Sequence, residues 1–380
     1  MPLIRKGSVM RFDAFCEPPL ESLFANREGT LGHKWRQRPF TLSSIGEDRD
    51  FYQKFVIVGF PDDRGIQNNG GRPGAKDGPT AFRKAFYKLY DTPQREFCLE
   101  SRKFLSTKQS QNQPKMISDR ILDLGDVKLK DSIEESHEGL AQVVSEALKR
   151  GAEMVFVVGG GHDFTYGSYL GHVRGSALGR AIPIINLDAH LDLRPVENRV
   201  INSGTPFYRI IEELGHAIQK GKGLLELGIQ RDRNPESLYR YAAQKGVGVV
   251  EYNAILDEWL EITHGRSTSP LDHLLDHLDR CHGFGWDRLT DFLHLSIDLD
   301  VFHQATAPGT SASTPFGVLF RQFGEVFSFL GRTRFTRVVD VAELSPAHDV
   351  GDQTAKLAAG LVYQLITLRQ EHKNYSGPVV

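Results

Sequence analysis

Asn186-Leu187-Asp188-Ala189-His190-Leu191-Asp192-Leu193-Arg194 decides how this chain is read, because it follows the apolar run Ile182-Pro183-Ile184-Ile185. A short isoleucine-rich run has the pattern of a strand buried on both faces of a parallel sheet. Here it is broken at every second position by a side chain able to ligate a metal, so Asp188, His190 and Asp192 start on one face. A fully extended chain would hold Asp188 and Asp192 roughly 13 Å apart, too far for one ion, so the backbone has to curl as it leaves the strand. The carboxyl ends of strands are where open α/β sheets place their active sites. Taken alone, the segment is equally well a strand end with a solvated acidic turn and a core histidine.

Recurrence favours the metal reading. Val155-Phe156-Val157-Val158 runs into Gly159-Gly160-Gly161-His162-Asp163, and Phe292-Leu293-His294-Leu295-Ser296-Ile297 runs into Asp298-Leu299-Asp300. In the latter, aspartates at i and i+2 have Cα atoms about 6.6 Å apart, so both can reach one pair of ions. Two histidines and four aspartates therefore gather at predicted strand ends. Carboxylates buried without partners are costly, and two divalent cations are the simplest neutralisation. Mixed nitrogen and hard oxygen donors suit Mn2+, with Ni2+, Fe2+, Co2+ or Zn2+ as alternatives.

The segments GGGHD, NLDAHLD and SIDLD resemble the ureohydrolase superfamily of arginases, agmatinases and formimidoylglutamases. Asn69-Gly70-Gly71-Arg72-Pro73-Gly74-Ala75-Lys76-Asp77-Gly78-Pro79, Ser203-Gly204-Thr205-Pro206-Phe207 and Val341-Ala342-Glu343-Leu344-Ser345-Pro346 are most similar to the formimidoylglutamase branch. The likeness runs from about Val56 to the end of the chain. It implies an arginase-like three-layer α/β/α fold and a dimanganese centre. One ion would be held by His162, Asp188, Asp192 and Asp298, the other by His190, Asp188, Asp298 and Asp300, with Asp188 and Asp298 bridging. Such a centre activates the attacking water. Glu343 would orient an amidinium, and Asp192 would return a proton to the leaving amine.

With N-formimidoyl-L-glutamate as substrate, hydrolysed to L-glutamate and formamide in histidine degradation, the leaving group carries two carboxylates and suits arginine. Arg72 and Arg194 are the candidates, with Arg209 and Arg231 behind them, and Ser203 completes the substrate-binding set. Ser203 stands where arginases and agmatinases carry a histidine; a serine cannot move protons at neutral pH, which favours the amidine branch. A guanidino-compound hydrolase of agmatinase, arginase, guanidinobase or guanidine-hydrolase type, releasing urea or ammonia, is the rival reading. A metal-bound homologue without turnover is a second.

Composition sets the remaining bounds. Forty-six basic residues against 48 acidic in 380 leave no electrostatic footprint for nucleic acid or an anionic membrane, so the expected partner is a small amidine or guanidine substrate. Cys16, Cys98 and Cys281 are few, odd in number and far apart, which fits a reducing compartment. The first ten residues lack a signal-peptide apolar run, and nothing approaches the length of a membrane span. A soluble, cytoplasmic homo-oligomer is expected.

Along the chain, residues 1–50 show no period and are expected to form an arm; residues 51–380 form the metallohydrolase domain, with a polar insert at about 91–118. Residues 65–78 read as a glycine-rich loop. Eight strands, near 55–60, 121–126, 155–158, 182–185, 224–229, 247–252, 292–298 and 337–343, alternate with helices and predict a mainly parallel eight-stranded sheet covered on both faces. The helix expected over 268–281 carries His273 and His277, with Cys281 and His282 nearby. That spacing imitates a zinc signature, but no acidic or thiolate set converges there, so it reads as a solvated face opposite a leucine stripe.

Overall fold

The computed structural model describes residues 11–24, 28–32, 51–91, 96–98, 103–105, 116–176, 181–256, 270–282 and 292–372. Eleven strands follow in chain order: β1 Cys16–Glu17, β2 Phe55–Phe60, β3 Glu96–Cys98, β4 Lys103–Leu105, β5 Ile121–Val127, β6 Met154–Gly159, β7 Ile184–Leu187, β8 Leu224–Ile229, β9 Gly248–Glu251, β10 Leu293–Asp298 and β11 Thr336–Ala342. Nine form one sheet in the order β1-β5-β2-β6-β11-β10-β7-β8-β9, parallel except at β1. The eight expected strands are all present. The ninth is β1, an edge strand supplied by the expected arm and paired antiparallel with β5. Two residues are too few to show a period, so the sequence does not announce it. Most of the expected polar insert lies outside the described residues; within it β3 and β4 pair as a separate hairpin.

The chain lays β2, β5 and β6 on one side, leaps two places to β7, continues outward to β8 and β9, and returns to fill the gap with β10 and β11. That gap is a switch in winding direction, where α/β sheets open a crevice at their carboxyl edge.

One face of the sheet is largely apolar, with Asp123 of β5 as a buried exception that pairs with Arg83 of the overlying helix at 2.9 Å. Phe55, Ile57, Phe156, Val158, Ile185, Leu187, Leu225, Leu295, Ile297, Val339 and Val341 join a single core cluster beneath the helices Gly78–Phe86, Pro270–His282, Gly324–Arg332 and Gln353–His372. On the opposite face the apolar core is split in two. One cluster unites β2 and β6 with the helix Ile133–Lys149; the other unites β7 and β8 with the helices Thr165–Gly175, Pro206–Glu213 and Glu236–Lys245. Between them the alternation turns polar: Asn186, Glu226, His294, Ser296 and Asp340 are buried there. The third layer therefore packs around a polar column that leads toward the predicted site.

The helix Ile133–Lys149 forms where its signals place it. Ser132 caps it by accepting the Glu135 N–H at 3.1 Å, worth about 1 kcal/mol, and Leu140, Val143, Val144, Ala147 and Leu148 turn inward. Its neighbour Thr165–Gly175 lacks a clear apolar stripe, because its contact face is made of glycines. A Cβ on Gly167 would stand 2.7 Å from the His137 carbonyl oxygen and one on Gly171 2.7 Å from that of Ala141, so the two helices approach backbone to backbone. The expected glycine-rich loop at 65–78 is also interrupted, by the short helix Arg64–Asn68.

Candidate metal centre

Three strand ends bring the six predicted ligands together. His162 follows β6, Asp188, His190 and Asp192 follow β7, and Asp298 and Asp300 end and follow β10. The Nδ1 of His162 lies 2.9 Å from Asp192 Oδ2, 3.1 Å from Asp188 Oδ2 and 3.3 Å from Asp298 Oδ2. The curl expected after β7 is present. Asp192 takes the left-handed conformation (φ 46°), which swings its carboxylate back beside that of Asp188. A second group joins His190 Nδ1 to Asp300 Oδ2 at 3.1 Å and Asp188 Oδ1 at 3.5 Å. Asp188 belongs to both groups, whereas Asp298 stands with His162 alone, its Oδ1 accepting the Asp300 N–H at 2.9 Å.

The donor set fits two divalent cations. Within each group the ligand atoms lie within 4.8 Å of one another, and no lysine or arginine among the described residues pairs with these carboxylates. Asp300 Oδ1 is buried without a hydrogen-bond partner among the described residues. The His162 ring is turned by Ser296, whose Oγ lies 2.8 Å from Nε2, which leaves Nδ1 aimed at the acidic side chains.

The electrostatics describe a site short of positive charge. Burial pulls the His162 imidazolium down, but Asp188 and Asp192 outweigh it and push its pKa well above the ordinary value. Burial and the Asp188 charge push Asp192 up to about 6, and burial and the Asp300 charge raise Asp298. Asp188 moves the other way: its contacts with both histidines overcome burial and hold it below the usual carboxylate range. Protons thus do part of the neutralising that cations would do.

Glu343 sits just past β11, 4% exposed, again in the left-handed region (φ 65°). Its N–H donates to Gly160 O at 2.9 Å, tying the ends of β11 and β6 together. Its Oε1 accepts the His162 N–H at 3.3 Å, while Oε2 is buried with no partner among the described residues. Burial, then the Asp300 charge, raise its pKa well above the ordinary value.

The predicted substrate contacts divide. Arg72 spends Nε and Nη2 on the carbonyls of Ser311 and Thr310, at 2.9 and 2.8 Å, and so braces the loop after β10. Arg194 is exposed, its guanidinium held among the described residues by a 3.4 Å bond to Asn69 Oδ1, and borders a cavity of about 670 Å³ with Asn68, Asn202, Tyr208 and Tyr241. The Ser203 hydroxyl accepts from Asn69 Nδ2 at 3.1 Å. Both reserve arginines are occupied elsewhere: Arg209 stacks 3.6 Å over Tyr166 and bonds Glu213, and Arg231 pairs with Glu251 at 2.9 Å. Two buried residues absent from the predicted set are Asn186 and Glu226. Asn186 Nδ2 lies 2.7 Å from Glu226 Oε2 and 3.3 Å from Asp188 Oδ2. An acid inside the apolar run Leu224-Leu225-Glu226-Leu227 was the available signal.

Fold and cluster define a class: a mainly parallel α/β protein with a candidate binuclear divalent-metal centre at its winding switch. The sequence profile of the arginase family matches residues 53–367, and this chain belongs to that family. It is 34% identical over 317 residues to a formimidoylglutamase of Nocardia farcinica, covering 82% of this chain and 86% of that one. It is 32% identical over 350 residues to one of Rhodococcus opacus, covering 90% and 93%. The solved structure of Trypanosoma cruzi formiminoglutamase with Mn2+ superposes with a TM-score of 0.66 at 25% identity, over 87% of this chain and 97% of that one.

Proposed function

We propose that this chain hydrolyses a linear amidine, N-formimidoyl-L-glutamate, to L-glutamate and formamide, as a step in histidine breakdown. The observation that carries the reading is Glu343. A buried carboxylate with an unpartnered oxygen, one residue contact from His162, invites a planar cation, and an amidinium offers paired N–H donors. Two divalent ions held by the His162 and His190 groups would supply a water-derived nucleophile near neutral pH. We read them as manganese, the metal of the Trypanosoma cruzi relative, and the protein as a cytoplasmic homo-oligomer.

In this scheme His162, Asp188, His190, Asp192, Asp298 and Asp300 hold the ions and Glu343 fixes the amidine carbon in line with the water. The water oxygen adds to that carbon, and the bond from carbon to the glutamate nitrogen breaks. Asp192, placed among the metal-binding side chains beside the attacking water, carries the proton that this nitrogen needs to leave. Arg194, with most of its guanidinium uncommitted among the described residues beside an open cavity, receives a carboxylate of the leaving glutamate. Arg72 and Ser203 shape that side through the 310–311 loop and Asn69. The test is a product assay on manganese-loaded protein: formamide and glutamate from N-formimidoyl-L-glutamate, with negligible urea from arginine or agmatine. Faster urea release from a guanidino compound would reassign the substrate.

A further inference from the structure

Directly behind the candidate ligands, Asp340, Ser296, Asn186 and Glu226 stand in register across β11, β10, β7 and β8. All four are fully buried. Glu226 is the anomaly of this row. Its neighbours on the strand are leucines, yet it buries a carboxyl group whose hydrogen bond among the described residues is the one from Asn186 Nδ2, and its Oε1 has no partner. Burying a carboxyl with a single contact is costly, and leucine would fill the position without that cost.

The Asn186 amide shows what the acid supports. Its nitrogen carries two hydrogens and faces two carboxyl oxygens, Glu226 Oε2 and Asp188 Oδ2, so nitrogen rather than oxygen is turned toward both. Asp188 is the residue common to both candidate metal groups. We infer that Glu226 and Asn186 are positioning residues for the metal centre: Glu226 locks the Asn186 amide, whose second hydrogen aims the Asp188 carboxylate at the ions. This rests on the reading of Asp188 as a metal ligand.

Manganese titration of the metal-free full-length protein, with its thermal midpoint recorded in parallel, tests the pair. Asn186→Leu and Glu226→Leu should each weaken manganese binding about 10- to 100-fold, the usual consequence of losing a ligand's outer partner. The double variant should bind no more weakly than the worse single one, because the two act as one unit. Glu226→Gln keeps an accepting oxygen for Asn186 and should restore affinity to within about threefold of wild type. If either leucine variant fails to fold, Asn186→Ala, which removes the amide without adding bulk, carries the same expectation. Unchanged manganese affinity in a folded Asn186 variant overturns the inference, even if its midpoint falls, since a merely structural pair would behave in that way. A wild type that binds no manganese removes the metal reading itself, a different outcome from intact binding that ignores Asn186.

Discussion

Two regions of this molecule carry closely spaced histidines, and they share almost nothing else. At the carboxyl edge of the sheet, His162 and His190 meet four aspartates delivered by separate strands, without a cationic side chain among the described residues to answer them. On the helix Pro270–His282, His273 and His277 lie one turn apart, yet neither joins any group of metal-competent side chains among the described residues. His277 also departs from the solvated face expected of it. It is 3% exposed and its Nδ1 would lie 3.0 Å from a Cβ on Gly248, so the missing side chain there makes room for the ring. Spacing of histidines along one element is weak information; convergence of unpaired carboxylates from several elements is strong, because burying them demands protons or cations to offset their charge.

The sharpest way to break that comparison is to damage each region equally. Asp188→Asn removes the carboxylate shared by both groups and should abolish bound metal and turnover together, whereas His277→Leu should leave metal content at the wild-type level. Metal analysis beside an activity assay decides it, and equal metal in wild type and Asp188→Asn would end the site assignment. Glu343→Gln comes next in size. It should retain the metals but lose at least about a hundredfold in turnover, near 3 kcal/mol of transition-state stabilisation. Near-normal turnover would make Glu343 a structural link between β11 and β6.

What could be read in the sequence follows the same division. The clustering of the candidate ligands was legible because period-two alternation and strand ends are local features, and Asp188, His190 and Asp192 lie within five residues. The bracing of Arg72 by Ser311 and Thr310 was not, since it joins segments about 240 residues apart in sequence; the contact exists only once β10 has been inserted beside β7. Nor was the helix Thr165–Gly175, whose stripe of glycines packs by backbone approach and gives no hydrophobic period. Asn186 lay inside the deciding stretch, on the same face as Asp188, but its importance depends on Glu226 across a strand pair. Arg194 remains the better arginine on structural grounds. Arg194→Ala should lower kcat/KM for N-formimidoyl-L-glutamate about thirtyfold, near 2 kcal/mol, with metal content intact. An unchanged kcat/KM would move carboxylate recognition elsewhere.

The smallest expected effect belongs to the helix histidine, and it concerns stability rather than chemistry. Burial lowers the His277 pKa from its ordinary 6.5 to about 4, with the Arg280 charge adding to burial and a backbone contact at Gly223 opposing both. Between those two values the unfolded chain binds a proton that the folded chain refuses. The contribution of His277 to stability is therefore fully present above about pH 6.5 and declines as pH falls toward 4. Between pH 7 and pH 5 the loss amounts to about 2 kcal/mol at most. Other groups titrate in the same window, Asp192 at about 6 among them, so the informative quantity is a difference of differences. Denaturant unfolding of wild type and His277→Leu at both pH values isolates it: the variant should lose less stability on acidification, and its advantage should grow from pH 7 to pH 5. A gap between the two proteins that stays constant across that range would mean that the buried ring is protonated in the fold after all, and that the two histidine regions differ less than their surroundings imply.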